Sequence, residues 1–381
     1  MYYLKELCDT VIYRPNFFST LLIILAIALI YAGNKIRKDL LKQVFFNSAA
    51  IVIALCAYET YLFVQLPSNT HGQSTLRVSD QTKDRYTSFH EDLGYQLYKD
   101  GVFHAVRTGT REIVYDVNYT IKDKLRFTPN TNSQSEDCAL FFGCSVTFGE
   151  GLPDTNTLPY YFNEFECQRY NTFNYGLHGY GPHQMLAQIE GRVPSDISRF
   201  SGQKIAVYSM MLFHLRRAAG YTLWDRHGPE YILENGNLKR KGPFEEKPKS
   251  IIGRGIRKVL GTSRTYQKFI IKANNTPSAY DIDRTLAIIA KSNELLQKIG
   301  VKLYIVLHDF AEHAANDIGD RHSYNLLVNN LRKSDSPVFF MSDIINDYQK
   351  NLDRYTIHPL DRHPNANTNK IIAQYLAEHI E

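Results

Sequence analysis

Phe141-Phe142-Gly143-Cys144-Ser145-Val146-Thr147-Phe148-Gly149-Glu150-Gly151 decides how this chain folds. The apolar run 139–142 has the length and composition of a buried strand. Glycines follow where a chain must turn sharply from strand into helix. Such a turn lifts a serine hydroxyl out of the strand end, into the crevice where open α/β sheets bind their ligands. Ser145 is therefore the candidate nucleophile. A capping serine in an ordinary strand-to-helix turn has the same local sequence, so the turn alone does not decide the chemistry.

At the far end of the chain, Asp361-Arg362-His363-Pro364-Asn365 precedes a helical stretch at 366–380. A serine hydroxyl is a weak nucleophile until a histidine takes its proton, and that histidine works best when a carboxylate fixes its tautomer. Asp361 and His363 supply both groups. Between the two ends lies the glycine-rich Asn174-Tyr175-Gly176-Leu177-His178-Gly179-Tyr180-Gly181-Pro182-His183-Gln184. Taken together, these blocks resemble the SGNH (GDSL-like) hydrolase family over residues 137–381.

The resemblance implies a catalytic set of Ser145, Asp361 and His363. Cys144 stands where the family's first block carries aspartate, and Asp361-Arg362-His363 is one residue shorter than the common Asp-x-x-His. The second block implies Gly179 as an oxyanion-hole glycine, acting beside the backbone N–H of Ser145. The third block normally places an asparagine after a strand. Here the strand 205–212 leads into Leu212-Phe213-His214-Leu215, with His214 at that place. A neutral imidazole N–H can donate to an oxyanion, so His214 is the expected third donor. His178, His183 and Arg216 are candidates for touching substrate, His358 is an alternative base, and His308 and Asp309 end a strand on the presumed active-site side.

Around these blocks, strands are expected at 172–175, 204–213, 301–307 and 338–341. Helices are expected at 157–169, 181–192, 280–299, 321–332 and 366–380. Alternation of this kind predicts a doubly wound parallel sheet in an α/β protein. The resemblance implies the same three-layer, flavodoxin-like order, the SGNH hydrolase fold. Upstream, 67–136 reads as a linker followed by a small β appendage at 102–127, with a helix at 84–98. An insertion at 219–278 interrupts the core. Between Lys239 and Lys272 it carries eleven Lys and Arg against two Glu, a local net charge of +9 that leaves −4 for the rest of the chain. The patch is either a solvated surface or a site for anionic lipid or acidic polysaccharide, with 251–260 as a weak interfacial helix.

Residues 1–66 form a separate N-terminal region. Its stretch 17–33 is uncharged and apolar, and as helix it spans ~26 Å, about one hydrocarbon core. A second such stretch, 44–66, contains Asn47 and Glu59. The connection 34–43 has a net charge of +3, which by the positive-inside rule faces the cytoplasm. Two transmembrane helices in a hairpin are expected, with the downstream domain on the periplasmic or extracellular side. One span with a core helix, a signal peptide and a buried soluble hairpin are the competing readings. Glu59 within a span should meet a partner or the interface.

With 381 residues and 44% hydrophobic content the chain is long and apolar enough for a folded core, which excludes a disordered protein. Its 26 Tyr and 21 Phe against one Trp suit a chain that meets a membrane surface or a sugar. Five cysteines, Cys8, Cys56, Cys138, Cys144 and Cys167, show no metal-ligand spacing. No metal, cofactor or disulfide framework is expected, with a pairing of Cys138 or Cys144 to Cys167 left open. The expected activity is that of a membrane-anchored serine esterase acting on acylated polysaccharide or lipid. An O-acyltransferase passing the acyl group to a sugar, or a non-catalytic scaffold, is the alternative. Expected partners are the membrane, the substrate and a possible membrane protein, and no nucleic acid.

Overall fold

The computed structural model describes residues 17–65, 75–79, 86–109, 112–244, 263, 265, 276–310, 318–334 and 336–380. The chain divides into two compact units: Met1–His71 with Lys247–Thr276, and Gly72–Glu246 with Pro277–Glu381.

The helices include α1 (Phe17–Lys35), α2 (Asp39–Gln65), α3 (Ser145–Phe148), α4 (Leu158–Phe165), α5 (Pro182–Glu190), α6 (His214–Ala218), α7 (Ala279–Lys298), α8 (Ile318–Leu331) and α9 (Ala366–His379), with further single turns at Val193–Asp196, Met341–Ile344 and Leu352–Tyr355. The strands preceding Ser145 are β1 (Thr75–Ser79), β2 (Thr87–His90), β3 (Gly94–Leu97), β4 (Gly101–Thr108), β5 (Ile113–Lys122), β6 (Leu125–Arg126) and β7 (Cys138–Gly143). Those following it are β8 (Asn171–Asn174), β9 (Lys204–Met211), β10 (Pro229–Glu234), β11 (Asn237–Pro243), β12 (Val301–His308), β13 (Val338–Phe340), β14 (Thr356–His358) and β15 (Asp361–Pro364).

Every residue of β7 is buried. A strand that is apolar on both pleat faces needs helices on both sides, and it has them. Leu140 and Phe142 pack with Met185 of α5, Ile289 of α7 and Leu327 of α8. Ala139 and Phe141 pack the other way, on Phe162 of α4 and Ile372 and Leu376 of α9. Three layers result.

Strands β8, β7, β9, β12 and β13 are neighbours in that order, all parallel. Counted along the chain this is order 2-1-3-4-5, a doubly wound sheet as the alternation predicts, with the flavodoxin-like winding that the resemblance implied. The winding reverses between β7 and β9, so the crevice opens at the end of β7, beside Ser145.

The region before β7 is not an appendage. Strands β1, β4, β5 and β6 continue the same nine-stranded sheet, joined to it where Arg126 of β6 pairs with Asn174 of β8. The two-residue β6 covers only the end of the β8 edge, and Thr131 Oγ1 accepts from the Thr172 amide further along it. The expected linker thus holds an edge strand, β1, paired with β4. The helix expected at 84–98 is instead the β2–β3 hairpin. Tyr86, Phe89, Leu93 and Leu97 have helical spacing, but Gly94 at φ 80° reverses the chain, and His90 Nδ1 accepts from the Asp92 and Leu93 amides at 3.1 and 3.3 Å. Of the insertion, β10 and β11 form a hairpin, and Lys247–Thr276 belongs to the other unit. The proposed interfacial helix at 251–260 lies outside the described residues.

In the smaller unit α1 and α2 both meet the length and apolarity needed to cross a membrane. Helix α2 begins at Asp39, five residues before the expected start, so the connection shortens to three residues and Lys42 lies within the helix. Ile23, Ile24, Ile27, Tyr31, Ile51 and Ile53 are exposed along these helices, an apolar surface suited to lipid. Glu59 is fully buried and accepts from Ser263 Oγ at 3.0 Å and the Thr265 amide at 2.9 Å. The partner expected for this carboxylate lies in the chain itself.

Gly143 shows how tightly the end of β7 is built. At φ 149° its missing Cβ would meet Thr147 Oγ1 and lie 2.9 Å from Ser209 O of β9. Gly143→Ala should cost roughly 2–4 kcal/mol, read as a lower denaturant midpoint. An unchanged midpoint would show that the turn has room to relax.

Candidate active site

The serine turn is fixed by its own hydrogen bonds. Thr147 Oγ1 donates to Phe142 O at 3.1 Å and the Phe148 amide donates to Cys144 O at 3.0 Å, closing the one-turn α3. From β8, Asn174 Nδ2 donates to Thr147 O at 2.8 Å, and the Leu177 amide reaches Gly143 O at 3.3 Å. The Asn174–Gly181 block therefore braces the turn that presents Ser145. Cys144 is completely buried, and a thiol suits that apolar position. Among the described residues Cys56, Cys138, Cys144 and Cys167 are free thiols.

The β14–β15 hairpin brings the far end of the chain to this turn. His363 Nε2 lies 2.8 Å from Ser145 Oγ, and Nδ1 lies 2.5 Å from Asp361 Oδ1. The His363 amide also donates to Asp361 Oδ1, at 3.0 Å, which fixes the carboxylate to the ring it orients. Directly after the histidine, Asn365 caps α9 by accepting from the Thr368 amide, so the hairpin is anchored by a helix.

Two charged residues that no motif marked complete the cluster. Arg107 of β4 donates from Nη1 to Asp361 Oδ2 at 2.6 Å and to Glu150 Oε1 at 3.0 Å. Glu150 is buried, also accepts from Tyr115 OH at 3.1 Å, and faces His178 Nε2 at 3.2 Å and His363 Nε2 at 3.4 Å. Glu150 stood in the opening stretch, between two glycines, where its inward direction was legible only as a tight turn. Arg107 lies on an alternating strand and carried no signal.

Burial by itself would lower the basicity of His363, but the Glu150 and Asp361 carboxylates outweigh it and push the imidazole up to about 9. Burial would likewise raise both carboxyls. His363 and Arg107 hold Asp361 below its ordinary value, and His178, His363 and Arg107 hold Glu150 well below its own. Glu150, Asp361 and His363 are the described residues whose ligand atoms cluster closely enough for a metal ion. The Arg107 guanidinium, against both carboxylates, already supplies the positive charge there.

The other expected site residues fall elsewhere. His214 is fully buried: Tyr208 OH lies 2.9 Å from its Nδ1 and the Met211 amide donates to the same nitrogen at 3.3 Å. It closes the end of β9 and does not line the cavity at Ser145, where Met211, Leu212 and Phe213 do. Burial, then the Arg217 charge, depresses its imidazole far below the usual value, so it stays neutral. Gly179, at φ 82°, is covered by Tyr95 OH and Trp224 Nε1. His183 is buried against Asp225 at 2.7 Å, a bond that ties the start of α5 to the insertion. Arg216 is half-buried and does not line the cavity. Asp309 accepts from the Ser342 amide and hydroxyl, and His358 Nδ1 accepts from the Leu360 amide, so both are held by local structure. His308 does line the cavity, and burial pushes its imidazole down to about 4.

The cavity on which Ser145 opens has a volume of about 330 Å³. Val146, Leu212, Phe213, Phe310, Leu352 and Pro364 make most of its wall apolar, with Arg107 and His363 at the reactive side.

Replacing Arg107 by Met removes the guanidinium shared by two buried carboxylates. The variant should lose about 2–3 kcal/mol at neutral pH, discounted for the partial exposure of Arg107. Its folded-state carboxyls titrate higher, so the deficit should shrink as pH falls through the carboxylate range. Urea unfolding at both pH values measures this, and equal losses at both would refute the electrostatic role.

No protein-family model matches the sequence, and none of the curated proteins does. Solved structures similar to the chain include a lipolytic protein of the G-D-S-L family from Desulfitobacterium hafniense, at 10% identity and TM-score 0.34, covering 64% of this chain and 99% of that one. A member of the same family from Veillonella parvula aligns at 13% identity and TM-score 0.36, covering 64% and 98%. A GDSL-like lipase from Bacteroides thetaiotaomicron aligns at 14% and 0.32, covering 64% and 87%.

Proposed function

We propose that this chain is a membrane-anchored serine ester hydrolase of the SGNH type. The observation that carries it is His363, whose Nε2 lies 2.8 Å from Ser145 Oγ while Nδ1 is held by the buried Asp361. In the proposed reaction His363 takes the Ser145 proton as Oγ attacks an ester carbonyl, and the carbonyl electron pair moves onto oxygen. The backbone N–H of Ser145 is the proposed oxyanion donor, since neither Gly179 nor His214 lines the cavity at Ser145. Collapse expels the alcohol, which takes its proton from His363, and leaves an acyl group on Ser145. Water then releases it; a sugar hydroxyl in place of water would make the protein an O-acyltransferase.

The apolar wall beside Ser145 favours an acyl chain longer than acetyl as the group carried. Each buried methylene should contribute ~0.8 kcal/mol, about a fourfold gain in kcat/KM, until the cavity is filled. The test is labelling by a fluorophosphonate probe, together with turnover of a series of p-nitrophenyl esters. Wild type should label and prefer medium chains, whereas Ser145→Ala and His363→Ala should lose labelling and all but a small remainder of turnover. A folded wild type that neither labels nor turns over would favour the scaffold alternative.

The exposed apolar flanks of α1 and α2 support a membrane hairpin, and the basic connection supports its cytoplasmic placement. The hydrolase unit would then act outside the cytoplasm, on acyl esters of envelope polysaccharide or lipid. A C-terminal alkaline phosphatase fusion should be active and a green fluorescent protein fusion dark; the reverse would place the unit in the cytoplasm.

A further inference from the structure

We propose that Glu150 is a positioning residue, a second carboxylate that holds the proton on His363 Nε2 and so gates the attack by Ser145. The inference rests on the serine-enzyme reading above. In a Ser-His-Asp arrangement one carboxylate serves Nδ1, and Nε2 is left to the serine. Here Nε2 faces two acceptors, Ser145 Oγ at 2.8 Å and Glu150 Oε2 at 3.4 Å.

Glu150 cannot readily turn away. Its Oε1 is held by Arg107 and Tyr115, its side chain is 7% exposed, and glycines at φ 81° and 77° flank it in a turn whose Gly151 amide donates to Tyr119 OH at 2.8 Å. A Cβ at Gly149 would come 2.6 Å from Thr157, and one at Gly151 2.6 Å from Ile357, so neither neighbour leaves slack. A fixed anion beside Nε2 favours the imidazolium, in which both ring nitrogens donate.

The groups facing His363 are Asp361 on its own strand and Cys144 and Glu150 from the serine turn; Arg107 from β4, Tyr115 from β5 and His178 from the block after β8 contact those carboxylates. His308 lies on the cavity wall. Arg107 sits against the carboxylates rather than the ring and moderates both. The balance of burial against these carboxylates pushes the imidazole up to about 9. Before attack, the Nε2 proton must leave to solvent. Nε2 then takes the hydroxyl proton as Ser145 Oγ bonds the carbonyl carbon.

The kinetic consequence is a kcat/KM that rises with pH up to the alkaline range. It should be measured on the full chain in detergent, with a p-nitrophenyl ester, from about pH 6 to about pH 10. Wild type should show an apparent pKa near 9. Glu150→Gln should move it down by about one unit or more, and by the same factor raise kcat/KM at neutral pH, roughly tenfold per unit. Glu150→Asp, whose shorter carboxylate withdraws from Nε2, should shift it part of the way, and serves if the Gln variant does not fold.

Variants that turn over with the wild-type apparent pKa, at a lower rate throughout, overturn the proposal and leave Glu150 a structural residue. A wild type without turnover at any pH overturns the serine-enzyme reading, and the proposal with it.

Discussion

A carboxylate with no access to water must be compensated within the fold, and Asp361 is such a group: its side chain is 0% exposed. One oxygen is bound by the ring and amide of His363, the other by Arg107. Satisfying it therefore draws together the last strand of the chain and β4, which are 254 residues apart. The same guanidinium binds Glu150 and so fixes the serine turn to both. Loss of any one member leaves buried charge behind, which makes the cluster a single electrostatic unit rather than a set of pairs.

This dependence gives the antiparallel half of the sheet a purpose that its packing alone does not. Strands β4 and β5 bury Phe103, Tyr115 and Tyr119 against Phe148 and Leu177, so they rest on the turn that carries Ser145 and on the loop that braces it. From that position they aim Arg107 and Tyr115 into the crevice. The parallel half places Ser145 at the switch point, and the β14–β15 hairpin brings His363 to it. The antiparallel half tunes them by charge.

Glu59 illustrates the same rule in the smaller unit. A carboxylate on an apolar helix suggested a partner, and Ser263 and Thr265 supply it from a segment more than two hundred residues away. Part of the basic segment thus belongs with the α1–α2 hairpin. The chain leaves the larger unit at Glu246 and re-enters it at Pro277.

Much of this was legible in the sequence because it depends on local periodicity. The all-apolar β7, the alternation of strands and helices, and the glycine on each side of Cys144-Ser145-Val146-Thr147-Phe148 determine a doubly wound sheet with a serine at its crevice. The short Asp361-x-His363 spacing brings an acid onto its own histidine. Two long apolar stretches need nothing beyond their composition to be read as a hairpin. Tertiary structure decided what periodicity cannot express. His214 stands where the SGNH resemblance expects an asparagine, yet its buried ring is held by Tyr208 and the Met211 amide. His183 looked free in a glycine loop until Asp225, 42 residues on, took it. Residues 84–98 kept helical spacing while Gly94 closed a hairpin. Arg107 and Glu150 acquire their roles only when β4 lies across the serine turn, because the energy of a buried charge depends on which opposite charges reach it, and that is set by contacts between residues far apart in the chain.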